Sequence, residues 1–133
     1  MQHKTNNTYE YDANTPINKD ECSWFIHYVF DAFEGKGIDA HTHGLEDLDL
    51  YELQIVLPIP QNEAGSILNS LAFFQKDKNI RFQDGDCLKG FLYAGDVYFK
   101  KIDNQLRLIF PDNNNKYPWD DDCDTDFYNQ IIL

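Results

Sequence analysis

The sequence predicts a single α+β domain, in which a mainly antiparallel sheet of about six or seven strands packs against one central amphipathic helix. Extended runs rich in aromatic and β-branched residues lie on both sides of one segment with helical periodicity. Three successive turn signals, Asp-Gly, Ala-Gly-Asp and Asp-Asn, separate the later runs. The 133 residues amount to one domain, and 42% hydrophobic residues suit a folded core.

The elements of the N-terminal part are predicted from the local composition of the sequence. Residues 1–19 are rich in asparagine and lack apolar periodicity, so we expect a flexible N-terminal arm outside the core, followed by a single domain over residues 20–133. Residues 23–30 are aromatic and β-branched, and glycines at 35 and 37 precede a second extended run. These features predict a hairpin. Residues 52–59 form a third extended run that ends at two prolines.

The central helix is predicted over about residues 61–78. Asn62 is its candidate N-cap, Glu63 suits the positive end of the helix dipole, and apolar residues recur at spacings of three and four, namely Ala64, Ile67, Leu68, Leu71 and Phe74. Further strands are predicted over residues 80–82, 88–93, 97–102 and 106–110. A short C-terminal helix is predicted within residues 118–133.

The charge of the chain restricts its partners. Eleven basic and 23 acidic residues give a formal net charge of −12, which disfavours nucleic acid and anionic lipid and favours a basic protein or a cation. No apolar run approaches the about 18 residues that cross a bilayer, and the N-terminus does not resemble a signal peptide. Three widely spaced cysteines predict reduced thiols. We therefore expect a cytoplasmic protein with no membrane partner.

Two histidines and an aspartate form the first candidate cluster. Asp39, His41 and His43 alternate along a predicted strand, so their side chains share one face of the sheet. A metal site needs at least three ligands, and this strand would require help from His27 or Cys22 on the neighbouring strand. The commoner reading is that the histidines bond to the backbone or lie half exposed, so the sequence assigns no metal and no cofactor.

Other acidic and nucleophilic residues give no complete catalytic set. Aspartates crowd residues 120–126, but a calcium loop that starts at Asp120 has Thr125 and Ile131 where glycine and glutamate are required. We expect a solvated acidic turn that caps the following helix. Cys22 has His27 or His41 as a candidate base, although a buried, inert thiol is the commoner role. The sequence contains no Gly-x-Ser-x-Gly elbow and no phosphate-binding loop.

Glu52 and a proline-flanked loop complete the candidates. Glu52 interrupts an apolar strand, which favours edge exposure over a buried pair with Arg81 or Arg107. Two prolines stiffen the loop over residues 110–119, which either presents Tyr117 and Trp119 to a partner or packs Trp119 over the end of the sheet.

Five short pieces in a fixed order carry a resemblance. They are His-Thr-His-Gly-Leu (41–45), Glu-Leu-x-Ile-Val-Leu-Pro-Ile-Pro (52–60), Ile-Leu-Asn-x-Leu-Ala (67–72), Phe-x-Asp-Gly-Asp (82–86), and Leu-Ile-Phe-Pro-Asp to Tyr-Pro-Trp-Asp (108–120). Together they resemble the bacterial family called domain of unknown function 4262, over residues 22–130. The chain departs from that pattern at Tyr51, Phe110 and residues 113–115, as a divergent member would. The resemblance implies a small intracellular bacterial domain, implies no reaction, and directs attention to His41, Thr42, Gly44, Glu52, Asp112, Pro118 and Trp119.

Two hypotheses follow. The preferred one is a non-catalytic protein-binding module, similar to an immunity protein or an adaptor, that recognises a basic partner. Its binding candidates are His41, Thr42, His43, Glu52, Asp112, Tyr117 and Trp119. The alternative is a small hydrolase or ligand-binding enzyme with a cleft near His41, His43 and Glu52, with or without assistance from a metal.

Overall fold

The computed structural model describes residues 6–30, 33–34, 38–92 and 95–133. The predicted turn at residues 35–37 lies outside them. The strands are β1 (Thr8–Glu10), β2 (Phe25–Val29), β3 (Asp39–His43), β4 (Glu52–Ile55), β5 (Cys87–Lys89), β6 (Val97–Ile102) and β7 (Gln105–Ile109). The helices are α1 (Gln61–Lys78) and α2 (Thr125–Tyr128), with short 3-10 turns at Lys19–Glu21, Leu45–Leu48 and Asn129–Ile131.

The described strands form one seven-stranded sheet in the order β1-β5-β6-β7-β4-β3-β2. The α+β class is confirmed. The sheet is mixed, because β1 pairs with β5 and β4 pairs with β7 in parallel, whereas the other four pairings are antiparallel. Parallel neighbours need a long crossover, and α1 with the β5–β6 hairpin supplies it between β4 and β7. The strand β2 therefore ends one side of the sheet.

Helix α1 covers one face of this sheet and matches its predicted bounds. Leu68, Leu71 and Phe74 on its apolar side join the core with the inward side chains of the strands. The predicted N-cap is wrong by two residues, because the helix starts after Pro60, whose carbonyl accepts the N–H groups of Glu63 and Ala64. No helix among the described residues combines the length and apolar character that crossing a bilayer requires.

The N-terminal segment is more ordered than predicted. The expectation of an arm outside the core is wrong for residues 8–11, because Thr8–Glu10 pairs with β5 as an edge strand and Tyr9 and Tyr11 pack on the core. Tyr9 packs edge-on against Phe82, and Tyr11 packs against Phe74 with ring centroids 5.3 Å apart. Residues 1–5 of the predicted arm lie outside the described part. The aromatic rings, rather than any local periodicity, attach this segment to the sheet.

Several predicted strands are shorter than expected or absent. Residues 80–82 do not form a strand, because the Phe82 N–H donates to Gln75 Oε1 at 2.9 Å and its ring stacks on Phe99. The run over residues 52–59 ends at Ile55, ahead of two prolines. Of the run predicted over residues 88–93, only the first two residues lie in a strand, which is Cys87–Lys89, and residue 93 lies outside the described part. The C-terminal helix is confirmed at Thr125–Tyr128.

Candidate metal centre

Three histidine side chains converge at the β2 end of the sheet. His27 on β2 lies directly opposite His41 on β3, and strand alternation places His43 on the same face as His41. The Nε2 atoms of His41 and His43 are 3.0 Å apart, and His27 Nδ1 lies 3.4 Å from His43 Nε2. One nitrogen from each ring lies within 4.8 Å of the other two. We call these three residues the histidine cluster.

A carboxylate fixes the orientation of the most buried ring. Asp39 Oδ1 lies 2.9 Å from His41 Nδ1, and the His41 side chain is only 10% exposed. Because a carboxylate only accepts hydrogen bonds, this contact places a proton on His41 Nδ1, and in the neutral ring the Nε2 lone pair then faces His43 Nε2, 3.0 Å away. Metal-binding histidines are commonly held by a carboxylate in this way.

Behind Asp39, a buried polar chain crosses the sheet. Gln54 Nε2 donates to Asp39 Oδ1 at 2.8 Å, and Gln54 Oε1 accepts from Arg107 Nε at 3.0 Å. The other side of the guanidinium donates to the carbonyl of Gln130, which follows α2. Burial lowers the pKa of Arg107, and the negative charge of Asp39 opposes that shift. The chain holds Asp39 in position through Gln54, so the His41 ring has a defined direction.

The geometry of the histidine cluster suits a tetrahedral ion. Nitrogen ligands about 2.0–2.1 Å from Zn²⁺ lie about 3.3 Å from one another. Two separations in the cluster, 3.0 and 3.4 Å, are close to this value, and all three ligand nitrogens lie within 4.8 Å of one another. Three imidazole ligands suit zinc and other late first-row metals, whereas Mg²⁺ and Ca²⁺ prefer oxygen. Both His27 and His43 are exposed. The cluster is therefore accessible to an ion from solvent and leaves a fourth position open.

Glu52 is separate from the histidine cluster, and its predicted exposure is wrong. The side chain is buried, and neither arginine is its partner. Oε1 accepts from the Thr42 hydroxyl at 2.7 Å and from the Leu45 N–H at 3.0 Å, whereas Oε2 accepts from the N–H groups of Gly44 and Glu46. Glu52 thus satisfies the backbone donors of the turn after β3. The predicted cleft of His41, His43 and Glu52 does not form.

Gly44 makes this turn possible. Its φ is 113°, in the region that favours glycine, and a Cβ atom there would lie 2.9 Å from the Ser23 carbonyl oxygen. The turn carries the backbone N–H groups that face Glu52. The pieces His-Thr-His-Gly-Leu and Glu-Leu therefore meet in space, and Thr42, Gly44 and Glu52 among them support the fold.

The proline-flanked loop is also held internally. Asp112 accepts the N–H groups of Asn114 and Lys116 on Oδ1, and that of Asp124 on Oδ2. These bonds, led by that of Asp124, hold the pKa of Asp112 below its usual range. Tyr117 stacks on Trp119 with ring centroids 5.0 Å apart and bonds Asp96 through its hydroxyl. Both rings pack on Tyr98 of β6. Of the two alternatives for this loop, the structure therefore shows the one in which Trp119 packs on the sheet.

The remaining candidates lie elsewhere. The thiol of Cys22 donates to the Trp24 carbonyl, and Cys22 does not join the histidine cluster. Burial raises the pKa of Cys123 to about 11, so this thiol stays protonated at neutral pH. Within the acidic segment, Asp124 accepts the N–H of Asp126 and caps α2, as predicted for the acidic turn.

No protein-family model, curated protein or solved structure matches this chain. The resemblance to domain of unknown function 4262 therefore stays a prediction. Sequence reasoning named His27 only as a candidate helper, and it missed the roles of Gln54 and Arg107. The signal that finds them is the pairing register, which aligns His27, His41, Gln54 and Arg107 across four neighbouring strands.

Proposed function

We propose that this domain binds a divalent late first-row transition metal, with Zn²⁺ as the reference ion, through the histidine cluster. The ligand atoms are His41 Nε2, His43 Nε2 and His27 Nδ1. The observation that carries the proposal is the convergence of three imidazole nitrogens, one of them oriented by Asp39. The formal net charge of −12 adds a favourable field for a cation.

Three protein ligands leave room for a water molecule or for a donor from a partner. A bound Zn²⁺ would make such a water more acidic and would polarise a carbonyl or phosphoryl oxygen. This is the metal-assisted form of the enzyme hypothesis, with Asp39 replacing Glu52 as the acidic residue. The ion would also link β2 to β3, because its ligands come from both strands.

Three free cysteines support a reducing, cytoplasmic location for the protein.

Titration of untagged, chelator-treated protein tests the proposal. Zn²⁺ should bind with one-to-one stoichiometry, and Zn²⁺ at about 100 times Kd should stabilise the fold by about 2.7 kcal/mol. Co²⁺ should give the visible absorption of a low-coordinate site with nitrogen ligands, and Mg²⁺ should not compete. The variant His41→Ala should lose more affinity than the about 10–100-fold typical of an outer-shell change.

A matched control separates the cluster from general surface charge. Lys100→Ala changes an exposed residue of β6, three strands from β3 in the sheet order, and should leave Zn²⁺ affinity unchanged. If His41→Ala and His27→Ala bind Zn²⁺ as tightly as the unchanged protein while remaining folded, the ion binds elsewhere and the proposal is wrong.

A further inference from the structure

The strand β2 is an open edge of the sheet. It pairs only with β3, and within the described residues no hydrogen bond joins its other backbone edge to another segment. Natural edge strands are usually short, or protected by lysine, proline or a bulge. The β2 sequence Phe-Ile-His-Tyr-Val contains no lysine, no proline and no acidic residue. Its residues have high β-propensity, so the edge is suited to pair with a further strand.

A groove of about 680 Å³ lies between β2 and α1. Its apolar lining comes from Trp24, Ile26, Tyr28 and Phe73, and its helical side is a stripe of small and polar residues, namely Asn62, Gly65, Ser66, Asn69 and Ser70. The Tyr28 ring reaches the helix at Gly65, where a Cβ atom would overlap the tyrosine hydroxyl. Trp24 is fixed by a 2.9 Å bond from its indole N–H to Asn69.

Exposed apolar side chains are concentrated beside this groove. Phe25 is 63% exposed and Ile17 is 49% exposed, and both line it. Phe30, just beyond β2, is 55% exposed. Large exposed apolar side chains that cluster next to an open strand mark an interaction surface rather than ordinary surface scatter. An edge strand next to a helix-walled groove is also the geometry in which peptides add to a sheet.

We propose that β2 and this groove bind an extended segment of a basic protein, which adds as a strand to the open edge. Main-chain hydrogen bonds to β2 would give affinity, and apolar side chains at alternate positions would enter the groove. This proposal does not rest on metal binding, although β2 also carries His27 and Phe25 packs on His43. It gives a place on the molecule to the basic partner that the composition favours.

Charge decides between a basic partner and a second copy of this chain. Each copy carries a formal net charge of −12, so pairing two copies edge to edge brings like charges together. Lys19 is a charged residue of the groove lining, and carboxylates lie beside that lining: Asp20 follows Lys19 and Glu63 follows Asn62, whereas Glu21 pairs with Lys76 at 3.8 Å. The preference for a basic segment therefore rests on the net charge of the whole chain and on these flanking acids. A segment with lysine or arginine between its apolar residues complements this surface.

Peptide display with the full-length protein tests the proposal. One library alternates apolar residues with lysine or arginine, and a second library uses the same residues in paired rather than alternating order. We expect enrichment from the alternating library only. Failure of the alternating library to yield any binder tighter than about 1 mM overturns the proposal.

Backbone methylation then separates strand addition from charge attraction. Two forms of an enriched peptide carry N-methyl groups at odd or at even positions, so only one form blocks the N–H groups that face β2. One form should bind at least about tenfold more weakly than the other, and the unmodified peptide should protect amides of residues 25–29 from hydrogen exchange. Equal binding of both forms, lost in high salt, would show charge attraction alone and would overturn the proposal.

A groove-filling substitution locates the site. Ser66 is exposed on the helical wall, and Ser66→Trp should reduce peptide affinity at least about tenfold without unfolding the protein. Gln61→Trp, on an exposed position of the same helix outside the groove lining, should have no such effect. If sedimentation instead shows a dimer that Ser66→Trp dissociates, the occupant is a second copy and the basic-segment proposal is wrong.

Discussion

Glu52 and Asp39 are two carboxylates on the neighbouring strands β4 and β3, and their oxygens have different partners. Glu52 is buried, and it bonds one hydroxyl and three backbone N–H groups of the turn that follows β3. Asp39 is partly exposed, and its Oδ1 bonds two side chains, His41 and Gln54. One carboxylate closes a turn, and the other orients an imidazole.

The difference shows how a buried acid is best interpreted. Backbone N–H groups cannot leave the fold, so a carboxylate that satisfies them stabilises the native chain. An imidazole bonded through Nδ1 still has a free lone pair on Nε2, so a carboxylate that orients it prepares a ligand for an ion. Asp112 belongs with Glu52, because its partners are three backbone N–H groups. Among these acids, Asp39 is the one that supports the histidine cluster.

The largest expected effect is on stability and comes from Glu52→Ala. The change leaves the N–H of Leu45 and those of Gly44 and Glu46 without their acceptor, which should cost about 3–5 kcal/mol of unfolding free energy. Urea unfolding measures the loss. Glu52→Gln keeps one carbonyl acceptor and should cost less. A loss below about 1 kcal/mol for the alanine variant would contradict the structural role.

The same comparison explains how far the sequence could be interpreted. Helix α1 matches its predicted bounds because apolar residues recur at helical spacing from Ala64 to Phe74, and the helix lies between Pro60 and the left-handed Asn79. Asp39, His41 and His43 share a face because strand alternation is local. The partners of Glu52 were not predictable in this way, since they are backbone groups of a turn whose geometry depends on Gly44. A carboxylate in an apolar strand has the same sequence pattern whether it faces solvent or such a turn.

Long-range register accounts for the other differences. His27 joins the cluster only because β2 and β3 pair with His27 opposite His41, and a shift of one residue would move it to the other face. The strand β1 pairs with β5 across more than 70 residues of sequence, which no local pattern reveals. Gln54 and Arg107 likewise meet through the parallel pairing of β4 with β7.

A smaller effect, on metal affinity rather than stability, is expected from Asp39→Ala. Without the carboxylate, His41 loses the partner of its Nδ1 atom, so Zn²⁺ affinity should fall about 10–100-fold. Stability should fall by about 1–3 kcal/mol, less than for Glu52→Ala, because two side-chain donors, His41 Nδ1 and Gln54 Nε2, lose an acceptor that is itself partly exposed. Competition with a chromophoric chelator measures the affinity. Asp39→Asn keeps an acceptor oxygen and should lose less.

Zn²⁺ affinity of a Glu52 variant tests whether the two acids have separate roles. Glu52→Gln should bind Zn²⁺ as the unchanged protein does, because Glu52 contacts none of the cluster nitrogens. If Glu52→Gln weakens Zn²⁺ binding as much as Asp39→Ala does, then the turn and the histidine cluster act as one unit.

The smallest expected effect is the acid dependence that Asp112 adds to stability. Backbone hydrogen bonds, first that of Asp124, lower the folded pKa of Asp112 below the value of about 3.9 in an unfolded chain. The stability from this carboxylate is therefore present above that pH and is lost as pH falls through the folded pKa. Unfolding free energies of the unchanged protein and Asp112→Asn should differ most near neutral pH and converge below about pH 4. Other acids titrate in both proteins and cancel, so a constant difference down to pH 2 would show that the charge of Asp112 does not stabilise its loop.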